Sequence, residues 1–545
     1  SLGNIMAEYI VVTQKGIDVA VVDTDLQRDT STDDSVNSSL VPDRIVPVIN
    51  ARPANNRMTH YDLTDDEAAA LSNDPRVLSV AGVPDKETQE LYATQNAQFQ
   101  RSFTNGSNSV NWGLDRHTDP DLTYSSSSTR TADYNYTLDG TGIDMVIQDD
   151  GVQVDHPEWE DANGVSRFQQ VDWYELTGMV GTMPSSFYAN TSNDSNAAGA
   201  HGSHCAGIAA GKTYGWAKNA KIYSMRIFGG TNHSIDNDRY DLIRLFHEQK
   251  PVDPDTGFKR PTIVNQSWGY SYYYRNGQFG SAQIQSIFYR GVDQSIAAQQ
   301  WTSGTFSQYG AVASRHPMAY TPADVEQEQL TDAGVICVKA AGNGYHPCAG
   351  SYAGEYADTI YNSYYTLNES WAGYITAGNP IYYNRPSSPH SLDTIWVGNM
   401  ACDQYGTEEF LREDSERGAR LDINAAGEQI TSVTSGASTY STKQAYPGNS
   451  SYYIARISGT SMAAPQVTGM GALWLQANPG GTAADFKKFL ANSSKEDLYN
   501  SGNADSFNAS NSIPRLYGGT TKIAYWPYNS PNNVSYKGTS GSGQG

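Results

Sequence analysis

Ile143-Asp144-Met145-Val146-Ile147-Gln148-Asp149-Asp150-Gly151 is an aliphatic, β-branched run that ends in two carboxylates and a glycine. It reads as a strand delivering an acidic side chain at its C-terminal end, where open α/β sheets hold their ligands. Taken alone, Asp-Asp-Gly after a strand is more often a turn. The surrounding rhythm decides the fold. From Trp112 onward, short β-branched runs alternate with small-residue helices through Ile208–Ala210, Ile222–Ile227, Leu242–His247, Thr262–Val264, Val325–Leu330, Val335–Ala341, Ile395–Val397 and Met462–Leu475. Such alternation predicts an α/β fold, a parallel sheet covered by helices on both faces.

Two further segments each place a reactive side chain beside a glycine at the edge of an element. In His201-Gly202-Ser203-His204-Cys205-Ala206-Gly207, the small residues let a helix lie close to the sheet, with His201 at its start. His201 and His204 are spaced i, i+3, which raises a zinc reading, but no Glu stands between them and no third ligand is apparent. A pair of core histidines is the plainer alternative. In Ser458-Gly459-Thr460-Ser461-Met462-Ala463-Ala464-Pro465, a serine opens a helix with Pro465 read as lying in its first turn. A serine there is often only an N-cap.

The chain has 545 residues, with 36 basic and 58 acidic side chains and a net charge of −22. That charge repels phosphate backbones and anionic lipid, so neither nucleic acid nor membrane is an expected partner. No run approaches the ~20 apolar residues of a membrane span. At the N-terminus, Tyr9–Thr13 and Val19–Val22 read as strands. Thr64-Asp65-Asp66-Glu67 reads as a capping box opening a helix stopped by Pro75, and Val77–Val80 as a returning strand. Residues 1–85 are thus a small α+β unit and 86–111 a polar linker. Residues 112–526 form the main domain, interrupted by Tyr- and Ser-rich stretches near 270–322 and 345–393 that read as surface loops, and 527–545 read as a flexible tail. Four cysteines are too few for a disulfide scaffold and leave three pairings open. No basic-then-apolar leader is visible at Ser1–Ile10.

Together the three segments resemble the signatures of the subtilisin-like serine proteases, in that family's order Asp, His, Ser. Counting from Asp149 gives Gly151, His156 and Pro157 at the family's spacing, whereas counting from Asp150 does not, so Asp149 is the matching acid. Ala340-Ala341-Gly342-Asn343-Gly344 resembles the segment whose Asn supplies an oxyanion donor, and Asn265-Gln266-Ser267-Trp268-Gly269 the edge that pairs with extended substrate. Cys205, His156-Pro157-Glu158-Trp159, Lys212-Thr213-Tyr214-Gly215 and Arg456-Ile457-Ser458 lean toward the proteinase K branch.

The resemblance implies a serine endopeptidase made as a self-inhibited zymogen. Asp149, His201, Ser461 and Asn343 would be catalytic, and Ser267, Trp268 and Gly269 would bind substrate. Residues 1–85 would be a ferredoxin-like inhibitory pro-domain acting in cis, with the processing site in 86–111. It implies polypeptide substrates, no cofactor for catalysis, and a secreted or otherwise extracellular setting, the missing leader leaving an intracellular or particle-associated one open. Structural calcium is compatible with the family but no ligands are identifiable. Gln148, in place of an aliphatic residue, Asp150, in place of Ser or Thr, and the two insertions depart from the pattern. The alternative is a structural or binding protein that keeps the fold with its pro-segment never removed.

Overall fold

The computed structural model describes residues 6–27, 44–84, 89–91, 111–118, 136–188, 199–227, 235–273, 284–294, 315–344, 346, 348–349, 361–370, 375–402, 409–412, 414–494, 498 and 519–527. The tail from 528 and most of the linker lie outside them.

The centre is a seven-stranded sheet in the order Glu409–Leu411, Ile395–Cys402, Ile336–Ala340, Thr262–Gln266, Asp144–Asp149 and Lys221–Arg226, with Ile423–Ala426 also paired to Ile395–Cys402. All pairings are parallel except that of the short edge strand Glu409–Leu411. Both faces are buried, so the central strands carry unbroken runs such as Met145-Val146-Ile147 in place of an alternating pattern. On one face lie the helices Ala200–Ala210 and Thr460–Ala477, packed through alanines, Val467, Met470 and Trp474. On the other lie Ile235–Glu248 and Thr321–Asp332, whose Leu242, Ile243, Val325 and Leu330 face the sheet's second core.

Gln148 adds a polar feature to that core. Its Oε1 accepts from Gln266 Nε2 at 2.9 Å, and Gln266 exchanges amide bonds of 2.8 Å with Gln327. The departure from an aliphatic residue therefore extends into a buried glutamine ladder.

The N-terminal unit runs strand Ala7–Thr13, helix Ala20–Leu26, strands Val48–Ala51 and Met58–Leu63, helix Asp65–Leu71, strand Val77–Gly82. Its strands form one antiparallel sheet in which Ala7–Thr13 pairs with both Met58–Leu63 and Val77–Gly82. The Thr64–Glu67 capping box is formed in both directions. Val19–Val22 belongs instead to a helix start: the Asp18 carboxylate accepts the Ala20 N–H at 2.9 Å, and Val22 and Leu26 bury one helical face. Strand propensity is a weak preference that such packing overrides.

The two stretches read as loops also differ. Ile284–Tyr289 and Val292–Asp293 from the first pair with Tyr364–Leu367 and Ile381–Tyr382 from the second in a four-stranded antiparallel sheet. Ile284, Ile287, Tyr365 and Leu367 are buried within it. Aromatic-rich strands that complete one sheet only by joining across a long gap carry no clear period within either stretch. Among the described residues no helix is long and apolar enough to cross a membrane.

Candidate active site

The strand Asp144–Asp149 ends at the carboxyl edge of the sheet and delivers Asp149 there. The helix Ala200–Ala210 begins beside it because Gly202 permits close approach: a Cβ at that position would lie 2.0 Å from the Gly151 carbonyl oxygen. His201 thereby meets Asp149, Nδ1 to Oδ1, at 2.7 Å, both side chains almost fully buried. His201 Nε2 is buried without a hydrogen-bond partner. Burial pulls the imidazole pKa down, but the adjacent Asp149 carboxylate outweighs it and holds His201 well above its ordinary value.

Asp150, the second carboxylate, caps that helix from outside. Its oxygens accept the backbone N–H groups of His201 at 3.2 Å and Gly202 at 2.7 Å, at a helix start that Gly199 leaves without a side-chain cap. Burial, reinforced by Asp149, raises its pKa to about 7.

Ser461 is the second residue of the helix Thr460–Ala477, not a cap before it, and Pro465 is the sixth, inside the helix. A proline lacks the N–H that would bond four residues back. The carbonyl released is that of Ser461 itself, and it accepts from Ser267 Oγ at 2.9 Å and Cys205 Sγ at 3.4 Å. The Ser461 hydroxyl in turn donates to the Ser267 carbonyl at 3.0 Å. These roles of Ser267 and Cys205 are not legible in the motifs; the one signal was Pro465 four residues after Ser461.

Asn343 follows Gly342, whose φ of 111° suits a residue without a Cβ. Its Oδ1 accepts from the Thr460 N–H at 3.0 Å and the Thr460 hydroxyl at 2.9 Å. A backbone N–H can only donate, so this fixes the amide and turns Nδ2 away from Thr460.

Trp268 is buried and packs on Tyr270 with ring centroids 5.5 Å apart, so it contributes backbone to its strand's edge and its indole to the core. That edge is occupied. Gln89–Leu91 from the linker adds antiparallel to Trp268–Tyr273, with Glu90 opposite Gly269 and Leu91 opposite Trp268.

The histidine pair does not converge on a metal site. His204 Nε2 meets the Ala455 carbonyl at 3.0 Å, and burial lowers its pKa to about 3. Asp149, His201 and Cys205 do bring three donor atoms within 4.8 Å. The His201 and Asp149 atoms already bond one another, and burial raises the Cys205 thiol pKa, so the thiolate a metal would need is disfavoured. Cys205, Cys337 and Cys348 are free thiols.

Asp149 and His201 thus meet at the carboxyl edge of the sheet, and Cys205, whose Sγ lies 3.9 Å from His201 Nδ1 and 3.4 Å from the Ser461 carbonyl oxygen, links them to the helix-borne Ser461. The model of the subtilase family matches residues 140–519, and the chain belongs to that family. It is 29% identical over 232 residues to a cuticle-degrading serine protease of Arthrobotrys oligospora, a match covering 41% of this chain and 47% of that protein, so that it spans about half of the relative's length. It is 25% identical over 434 residues to proteinase R of Parengyodontium album, covering 79% of this chain and 76% of that one. The crystal structure of fervidolysin from Fervidobacterium pennivorans, a keratinolytic enzyme related to subtilisin, aligns with a TM-score of 0.51 at 15% identity, covering 95% of this chain and 60% of that chain.

Proposed function

We propose that the protein is a serine endopeptidase of polypeptide substrates, held by its own N-terminal unit. The observation that carries this reading is the buried Asp149–His201 bond of 2.7 Å, which leaves Nε2 as a base facing no other acceptor or donor. A serine hydroxyl is a weak nucleophile until such a base takes its proton. Ser461 Oγ would turn from the Ser267 carbonyl to Nε2, attack the substrate carbonyl and pass its proton to His201, with Asp149 holding the tautomer and stabilising the imidazolium. Asn343 Nδ2 and the Ser461 backbone N–H, one of the uncommitted donors of a helix N-terminus, would receive the oxyanion. These residues need no cofactor for the step.

The N-terminal unit's β-α-β-β-α-β order is that of a ferredoxin-like fold and supports its reading as a pro-domain. It grips the two outer helices. Arg52, with 2% of its side chain exposed, reaches Asp241 at 2.9 Å and also Glu326; Asn55 Nδ2 donates to Gln329 at 2.7 Å, and Lys15 pairs with Glu328 at 2.9 Å. The linker strand then lies along the cleft edge, the position of a peptide recognised by strand addition. A secreted or otherwise extracellular setting belongs to the same reading, and its test is recovery of the processed form from the medium of the source cells. For the activity, a fluorophosphonate should label Ser461, and Ser461→Ala should abolish both labelling and peptide hydrolysis. An unlabelled, correctly folded protein would remove the endopeptidase reading.

A further inference from the structure

We propose that Glu416 is a positioning residue for the reaction: it clamps the chain on both sides of Asn343 and so sets where that residue presents its amide. The inference rests on the endopeptidase reading above and adds a residue that belongs to none of the sequence motifs. Glu416 lies in Ser415-Glu416-Arg417-Gly418, shortly after the edge strand Glu409–Leu411. It is 5% exposed. A carboxyl group buried to that degree needs partners, and those of Glu416 are the residues around Asn343.

Two stretches of backbone close on each other here. Gly418, at a φ of 97°, permits the approach, since a Cβ there would lie 2.8 Å from the Cys348 carbonyl oxygen. The Glu416 N–H donates to the Gly342 carbonyl at 2.8 Å, and the Arg417 N–H to the His346 carbonyl at 3.1 Å. The Glu416 carboxyl then reaches past Asn343 and accepts the backbone N–H groups of Gly344 and His346. One residue therefore holds the chain before Asn343 with its backbone and the chain after it with its side chain. On the other side, Thr460 Oγ1 accepts the Gly342 N–H at 3.1 Å, and Thr460 also occupies the Asn343 oxygen. Thr460 orients the amide, and Glu416 holds the backbone that carries it.

Asn343 stands between two glycines, Gly342 and Gly344, which lend the chain little stiffness of their own. Its direction thus depends on these bonds, and a displacement of about 1 Å at a reacting group costs up to about 10²-fold in rate. The chemistry of the clamp suits its place. An anion this close to the oxyanion donor would oppose the negative charge that develops there. Burial raises the Glu416 carboxyl well above its ordinary value, against the pull of Arg417 and of its hydrogen bonds, and so favours the uncharged acid. The Cys348 thiol, also buried, meets Glu416 Oε2 at 3.7 Å and completes the enclosure. An uncharged acid that still accepts hydrogen bonds holds the chain without working against the oxyanion.

The test is a double-mutant cycle on peptide hydrolysis by the expressed full-length chain, with the active concentration set by the end point of fluorophosphonate labelling at Ser461. Glu416→Ala should lower kcat by about 10- to 100-fold and leave KM within about twofold. In an Asn343→Ala background the same substitution should cost less than about twofold more, because the group it positions is gone. Glu416→Gln keeps an acceptor without a charge and should recover most of the loss. If Glu416→Ala does not fold, Glu416→Asp, which withdraws the acid by one methylene, carries the same comparison. Equal losses in both backgrounds, or a loss confined to KM, would overturn the clamp. Glu416→Gln as slow as Glu416→Ala would overturn the acceptor role. Labelling of Ser461 with undiminished hydrolysis by Glu416→Ala would also sink the inference and leave the endopeptidase reading standing. A folded wild type that neither labels nor hydrolyses peptide would remove that reading and this inference with it.

Discussion

Ser461 and Ser267 exchange hydrogen bonds: each hydroxyl donates to the other's backbone carbonyl, at 3.0 and 2.9 Å. One half of this exchange exists because Pro465 cannot supply the helical N–H that the Ser461 carbonyl would otherwise receive. The start of the Ser461 helix is thus tied to the chain segment before Trp268–Tyr273 by a side chain. Ser267→Ala leaves the Ser461 carbonyl with only the Cys205 thiol. In a Ser461→Ala background, where no self-digestion intervenes, Ser267→Ala should lower unfolding free energy by about 1–3 kcal/mol, the range for stranding a buried acceptor. Identical denaturation midpoints with and without the substitution would contradict this account.

Asn343 offers one free amide hydrogen pair because Thr460 occupies its oxygen. Asn343→Ala should lower kcat by roughly 10²–10³ with KM little changed, the magnitude measured for such a donor in a subtilisin. A rise confined to KM would count against an oxyanion role.

The His201 pKa gives a pH dependence whose sign is determined. Burial opposes the charged ring, Asp149 outweighs it, and the folded value lies well above 6.5. Catalysis needs the neutral ring, so the acid limb of kcat/KM should fall above pH 6.5, and Asp149→Asn should move it lower while reducing kcat on the order of 10⁴. For stability the linkage runs the other way. A raised folded pKa contributes stability that is complete below the unfolded value of about 6.5 and lost as pH rises through the folded one. Ser461→Ala protein should therefore lose unfolding free energy above pH 6.5 to a degree that Asp149→Asn suppresses; superimposable profiles would refute the coupling.

Gly202→Ala places a methyl 2.0 Å from the Gly151 oxygen, against backbone that has no flexible end to move aside. The helix must shift and carry His201 with it. The expected cost is about 1–3 kcal/mol, with hydrolysis reduced more than labelling by a small fluorophosphonate. Wild-type stability and turnover in this variant would show that the contact is not limiting.

Arg52 neutralises Asp241 and Glu326 at a buried contact, and Glu326 is raised to about 7 by burial even with Arg52 beside it. Arg52→Ala strands Glu326, while Asp241 keeps Arg244 at 3.2 Å; the loss is of the order of 2 kcal/mol or more, equivalent to about 30-fold in affinity. The released N-terminal fragment carrying Arg52→Ala should inhibit the mature enzyme at least that much more weakly. Equal inhibition constants would remove Arg52 from the grip.

The sequence by itself determined the sheet and the order of the acid, the histidine and the serine, because each is carried by local chemistry; the preference for Asp149 over Asp150 came from the spacing to Gly151, His156 and Pro157 that the family resemblance implies. A β-branched run, a glycine that permits a close approach and a helix-opening serine are legible within a dozen residues. It did not yield the strands of the two long stretches, whose partners in the 284–293 and 364–382 regions lie far apart in the chain and whose period is lost between them. Val19–Val22 misled for the same reason, since packing on the N-terminal sheet decided between strand and helix. The helix cap given by Asp150 across 51 residues, the orientation of Asn343 by Thr460 and the tie between Ser461 and Ser267 across 194 residues were set only by the tertiary structure. Hydrogen bonds of that kind depend on where a donor and an acceptor arrive after the chain has folded, and no local pattern encodes that distance.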